Sequence, residues 1–212
     1  MTTSRRGAGV LITAILAAAA PLRPAAAQEA DRGPRVTFFL ARYASPTFYA
    51  LYAGYGAGTW QGVVGLVENS RNEYWEALLG LAKGLALGPG RTMTTALAVA
   101  RASDSRYLQL YLVPSLAAGR IALDVTVEIY APLQHQGSFQ YYLSPLSLRL
   151  GLTSGFQLGG TYLLAGQQGT RTGHALGPGV RVVVPHGAVT LDWVLGVTAY
   201  RNQTRLQFQT SL

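Results

Sequence analysis

Seven residues in the second half of the chain have side chains that an interior built for binding or conduction would use: Asp124, Glu128, Tyr130, Arg149, Arg181, Asp192 and Arg205. Their spacing matters as much as their type. Between Ile121 and Tyr130 one alternating set reads Ile121, Leu123, Val125, Val127, Ile129, and the other reads Ala122, Asp124, Thr126, Glu128, Tyr130. A period of two is that of a β-strand whose faces meet different surroundings. Asp124 and Glu128 then share a face, two same-face steps apart. Arg149 falls on the next strand, and Asp192 on a strand between those of Arg181 and Arg205. Carboxylates and guanidiniums so gathered can pair and fill an interior, line a water path, or divide acid and base roles between two carboxylates. The pairing reading asks least of the residues and comes first.

Nucleophilic chemistry is poorly supplied. The three histidines, His135, His174 and His186, fall in or beside turns. Ser138 is near His135 in sequence, but no third group marks the pair and no G-x-S-x-G is present. Two lone loop histidines make no recognisable metal set, and no pattern implies a cofactor. The stretch 166–173, rich in Gly, Gln and Thr, reads as a flexible loop rather than a phosphate cradle.

The elements that must position the seven residues are strands. Alternation and turn residues place them at 35–43, 47–55, 58–67, 73–87, 90–101, 106–116, 120–132, 138–150, 155–166, 174–184, 187–200 and 204–212. Each is long enough to cross a bilayer at a tilt, for which about 9–11 residues suffice. The stretch 47–67 is rich in Tyr and Gly without clean alternation, so ten strands is the alternative to twelve. Two kinds of connection alternate along the chain. One is small and tight, as at 56–58, 88–90, 117–119, 152–154 and 185–187; the other is polar, as at 68–72, 103–105, 134–137, 166–173 and 201–204. Short turns at one end and polar loops at the other are the layout of an up-and-down antiparallel barrel in the outer membrane, with the short turns periplasmic.

Composition says which face meets which solvent. Charged residues are 12% of the 212, about half the usual soluble share of about 25%. A soluble barrel of this many strands would need charges to cover its outside. The leucine and valine sets (Leu79, Leu81, Leu85, Leu87; Leu108, Leu110, Leu112; Val180, Val182, Val184) are therefore assigned to lipid. Their polar or small alternates (Gly80, Ala82; Thr92, Thr94, Ala96, Ala98; Tyr107, Gln109, Tyr111; Ser147; Gln157, Gly159, Thr161; Thr190, Thr198; Gln207) go inside with the seven residues above. Trp75, Tyr162 and Trp193 are placed to join aromatic girdles. Small residues on the strands 73–101 would either fill space opposite large ones or leave a cavity. Lys83 falls on the lipid side near mid-strand, where a cation costs about 2–4 kcal/mol; a bulge near Gly80 or Gly84 would turn it inward. Pro114, Pro145 and Pro178 interrupt strands and call for bulges. The stretch 77–87 can also be read as an amphipathic helix.

The N-terminus reads as a secretory signal over 1–27: Arg5 and Arg6, an apolar run 10–22, and Ala25-Ala26-Ala27 before Gln28. A twin-arginine signal is disfavoured by Gly7, Ala8 and Gly9, and a retained anchor is the remaining alternative. A polar lead over 28–34 and a barrel over 35–212 follow. Without Arg5, Arg6 and Arg23 the chain has 14 basic against 9 acidic residues, scattered rather than clustered, which gives no nucleic-acid footprint. The absence of cysteine favours a fold closed by its own sheet over a disulfide-held secreted domain.

The last segment, Arg205-Leu206-Gln207-Phe208-Gln209-Thr210-Ser211-Leu212, resembles the terminal strand by which bacterial outer-membrane β-barrel proteins are recognised for assembly. It ends on Leu212, where a terminal aromatic is typical. The resemblance implies a bacterial outer-membrane location, membrane lipid and the assembly machinery as partners, and a narrow channel or a structural membrane protein, with a small polar solute as cargo in the first case. An outer-membrane lipid-modifying enzyme and a soluble periplasmic β-barrel binding protein are the alternatives.

Overall fold

Alternation at a period of two runs through nearly the whole of residues 35–211, the part of the chain that the computed structural model describes. The expected signal segment, the polar lead and Leu212 lie outside the described residues. Twelve antiparallel strands form: β1 (Arg35–Ala44), β2 (Phe48–Ala57), β3 (Trp60–Asn69), β4 (Tyr74–Gly88), β5 (Arg91–Ala102), β6 (Arg106–Ala118), β7 (Ile121–Pro132), β8 (Gln140–Gly151), β9 (Phe156–Gln167), β10 (Gly173–Val184), β11 (Gly187–Gly196) and β12 (Gln203–Ser211). Each pairs with its sequence neighbours, and β1 pairs with β12, Phe38 opposite Ser211 through Ala44 opposite Arg205, so the barrel closes without an edge. The ten-strand alternative fails because β2 and β3 pair in continuous register from Phe48↔Asn69 to Ala57↔Trp60. The helical alternative for 77–87 fails because those residues lie within β4. β11 stops at Gly196, so Thr198 leaves the wall: its hydroxyl accepts from the His174 amide and donates to the Thr172 carbonyl.

The tight connections are 58–59, 89–90, 119–120, 152–155 and 185–186. Gly58, Gly90 and Gly119 sit at φ of 62°, 66° and 58°, the left-handed backbone that short hairpins require. The polar connections gather at the other end.

The outward face is an exposed apolar band: Leu79 and Leu81 are 62% exposed, and Leu97, Val99, Leu148 and Leu195 lie on it with them. Trp75 and Trp193 lie outward near the polar-loop end and Trp60 near the tight-turn end. Lys83 stays outward, without a bulge beside it. It pairs with Trp60, the first residue of β3, and holds its ammonium 5.0 Å from that ring's centroid. The lysine is therefore level with the tight-turn end of β3, five residues before the end of β4, where its stem can lie along apolar surface and its charge can rest on the indole.

The prolines sit where the ladder is interrupted. Register shifts on both sides of β8 make Ser144-Pro145 a bulge. Pro114 pairs with β5 but has no partner on β7, and Pro178 pairs with β9 but has none on β11. Each break accommodates the amide donor that proline lacks. Thr126, facing the β8 bulge and next to the Pro114 gap, has no register partner on either side.

Candidate functional site

Inward side chains fall into two layers. The upper one, toward the polar loops, is a septum of tyrosines and amides. The rings of Tyr107, Tyr111 and Tyr142 meet Tyr130 edge-on, at centroid distances of 6.0, 6.3 and 5.3 Å. Their hydroxyls are used: Tyr130 donates to Glu128 (2.9 Å), Tyr111 to Gln109 (2.6 Å), Tyr107 to Asp104 (2.9 Å) and Tyr74 to Glu76 (2.6 Å), while Gln140 donates to Tyr107 (3.0 Å). Arg42 reaches across from β1 to within 4.0 Å of Glu128 on β7, the strand diametrically opposite in a ring of twelve. It also donates to Gln207 (3.2 Å). Tyr107 and Gln109 are fully buried and Glu76 is 2% exposed, so side chains fill the interior at this level.

The lower layer is an ion-pair cluster. Arg149 lies 3.5 Å from Asp124 and 3.3 Å from Asp192, and Arg181 lies 2.8 Å from Asp124. Ser115 donates to Asp124 and Thr161 to Asp192, both at 2.8 Å. Arg205 stands opposite Asp192 in register and donates to Ser144 on β8 (3.3 Å). The β8 bulge makes this layer work. Ahead of it Gln140 faces inward; beyond it Ser147 and Arg149 do, because the extra residue reverses the parity. Gly179 leaves the room that the Asp192 carboxylate occupies, since a Cβ there would meet Asp192 Oδ1.

Between the layers and the tight-turn end is a cavity of about 400 Å³. One wall is small or apolar, from Gly80, Ala82, Ala96 and Ala98 to Val63 and Leu78; the facing wall carries Asp124, Arg149, Arg181 and Asp192. Ala86, Thr92 and Gln209, inward residues near the tight turns, are exposed to water. The interior is thus hollow and open toward that end and occluded toward the loops.

A closed, twelve-stranded up-and-down barrel with an apolar outside and a polar, partly hollow inside has counterparts among solved structures. A KdgM porin superposes with a TM-score of 0.55 at 9% identity, over 84% of this chain and 99% of that one. A KdgM porin in complex with disordered oligogalacturonate gives 0.56 at 9% identity over the same shares, and a NanC porin gives 0.52 at 11% identity over 83% and 98%. The fold is that of the outer-membrane porins. Identity this low carries the likeness of fold and nothing finer. No protein-family model matches the sequence, and no curated protein does.

Within this porin fold the interior holds further residues besides the seven singled out from the sequence, Tyr74, Gln140 and Tyr142 of the septum among them. Arg42, Tyr52 and Glu76 lie on the inner sides of β1, β2 and β4 and take part in or border the septum. Glu76 was within reach of sequence reasoning, because it continues the parity of Gly80 and Ala82. Arg42 and Tyr52 were not, because tyrosine and glycine blur the two faces of the first strands. The histidines stay apart from this interior: His174 shares a hydrogen bond with the Tyr162 hydroxyl on the outward side, and His186 is in a tight turn. Among the described residues no group of three or more His, Asp or Glu is arranged to hold a metal.

Proposed function

We propose that the chain is an integral protein of the bacterial outer membrane that forms a narrow channel for small polar solutes, with Asp124, Glu128, Tyr130, Arg149, Arg181, Asp192 and Arg205 lining its path. In this reading the signal segment is removed near Ala27, the C-terminal strand engages the assembly machinery, the tight turns face the periplasm and the polar loops face outward. The observation that carries the reading is an interior that is polar, hollow from the tight-turn end and crossed by one layer of side chains. The septum sets the bore. Inward arginines (Arg42, Arg149, Arg181, Arg205) match inward carboxylates (Glu76, Asp124, Glu128, Asp192) in number. Paired charges supply hydrogen bonds without a net field, which favours solutes without net charge. One of the similar porins holds an acidic oligosaccharide; the matched charges here argue for a different preference.

Conductance in planar bilayers tests this. The refolded protein gives small, weakly ion-selective steps, and Tyr130→Ala, which removes the ring at the centre of the septum, enlarges them severalfold. Silence from both proteins would reject the channel and leave a structural barrel.

A further inference from the structure

The inward charges balance over the whole interior but not layer by layer. Glu76 is an extra carboxylate in the septum, and the lower cluster has three guanidiniums, of Arg149, Arg181 and Arg205, against Asp124 and Asp192. That cluster also has spare donors. Arg149 Nε, Arg181 Nε and one terminal nitrogen of Arg205 are buried without an acceptor, and Arg149 and Arg205 are each 4% exposed. Buried guanidinium donors are among the groups most costly to leave unmatched. Arg149 and Arg181 line the cavity, and the middle of the wall facing them, from Val63 and Leu78 to Ala82, Ala96 and Ala98, is apolar, with hydroxyls at its ends only, from Thr92 and Thr94 near the tight turns and Tyr52 at the septum.

We propose that the cavity is a binding site for a single-chain amphipath with a carboxylate head: the head on the arginine cluster, the alkyl chain along the small apolar wall. The two walls make opposite demands, and one molecule with two different ends meets both. A free anion leaves the apolar wall against water. A polyhydroxylated carboxylate sets its middle hydroxyls against the apolar stretch between Leu78 and Ala96, which cannot hydrogen-bond to them, and that is unfavourable. The volume, about 400 Å³, falls within the roughly 300–1,000 Å³ of small-molecule sites. The septum forms the inner end of the site, and the tight-turn end is its open mouth. The inference needs the interior only and stands whether or not the barrel conducts.

The chain has no cysteine, so a single Ala96→Cys thiol reports on the apolar wall without background. In phosphatidylcholine nanodiscs, where both ends of the barrel meet water, the rate of reaction with a small water-soluble methanethiosulfonate is measured with and without dodecanoate. Dodecanoate at ten times its dissociation constant slows labelling about tenfold, as occupancy requires, while acetate, dodecanol and gluconate at the same concentration do not. Adding Arg149→Gln removes the protection through the head; adding Ala98→Leu, which fills the wall, removes it through the tail and stands in if the arginine variant fails to fold. A thiol that never reacts, labelling unaffected by dodecanoate, or equal protection by dodecanol or gluconate would overturn the proposal.

Discussion

Asp192 holds together more of the interior than its single charge suggests. It accepts from Arg149 and from Thr161, and is 4% exposed. Asp192→Ala leaves a buried guanidinium with one weaker partner, Asp124 at 3.5 Å. Removing one member of a buried pair costs about 3–5 kcal/mol, whereas replacing both by apolar groups of similar volume is often neutral. Urea unfolding in lipid vesicles should therefore find Asp192→Ala strongly destabilised and Arg149→Met with Asp192→Leu close to the parent. Equal losses in the two would mean that the pair is not the connection described. At this scale, parity along a strand says which side of the wall a residue takes, and no more. Nothing in the spacing of Arg149 and Asp192, 43 residues apart in sequence, announces that they touch; that follows from barrel diameter and strand stagger. Arg42 meets Glu128 for the same reason, and no local pattern could have paired them.

Strand number, order and most strand limits were legible because each strand carries its own alternation and each end its own turn chemistry. Where two signals conflicted, the ladder decided. The helical period over 77–87 gives way because β4 has partners on both sides from Ala77 to Lys83 and on the β5 side as far as Ala86, and a spanning wall needs its backbone groups paired. Proline positions were legible as interruptions, but which one would be a full bulge was not. Only Pro145 shifts the register on both sides; Pro114 and Pro178 cause one-sided gaps. Deleting Pro145 should restore even register in β8 and turn either Gln140 and Tyr142 or Ser147 and Arg149 to the outside, since a one-residue slip exchanges faces. The expected result is loss of the heat-modifiable folded band in gel electrophoresis of refolded protein. Pro145→Ala, which keeps the residue count, should retain it. A folded deletion variant would show that the bulge is dispensable.

Across the whole barrel, depth is the variable that sorts outward substitutions. Lys83 is tolerated because it lies at the level where β3 begins, with its ammonium against Trp60, and that partner was invisible in the sequence because stagger between hairpins does not show along one strand. Lys83→Leu should change stability little, by about 0–1 kcal/mol, and Leu79→Lys, higher on the same face of β4, should cost about 2–4 kcal/mol. Urea titration in vesicles reads both, and similar values for the two would contradict the assigned depth. The wall that sets these depths is not uniform. Thr126, with no register partner on either neighbouring strand, interrupts a cylinder in which most main-chain groups are locked to a neighbour. Deuterium should enter there early, through the water of the hollow interior, while Leu97 and Val99 on β5, paired on both sides, stay protonated. The barrel then has a weak seam at β7, and slow breathing of its cross-section would take place there.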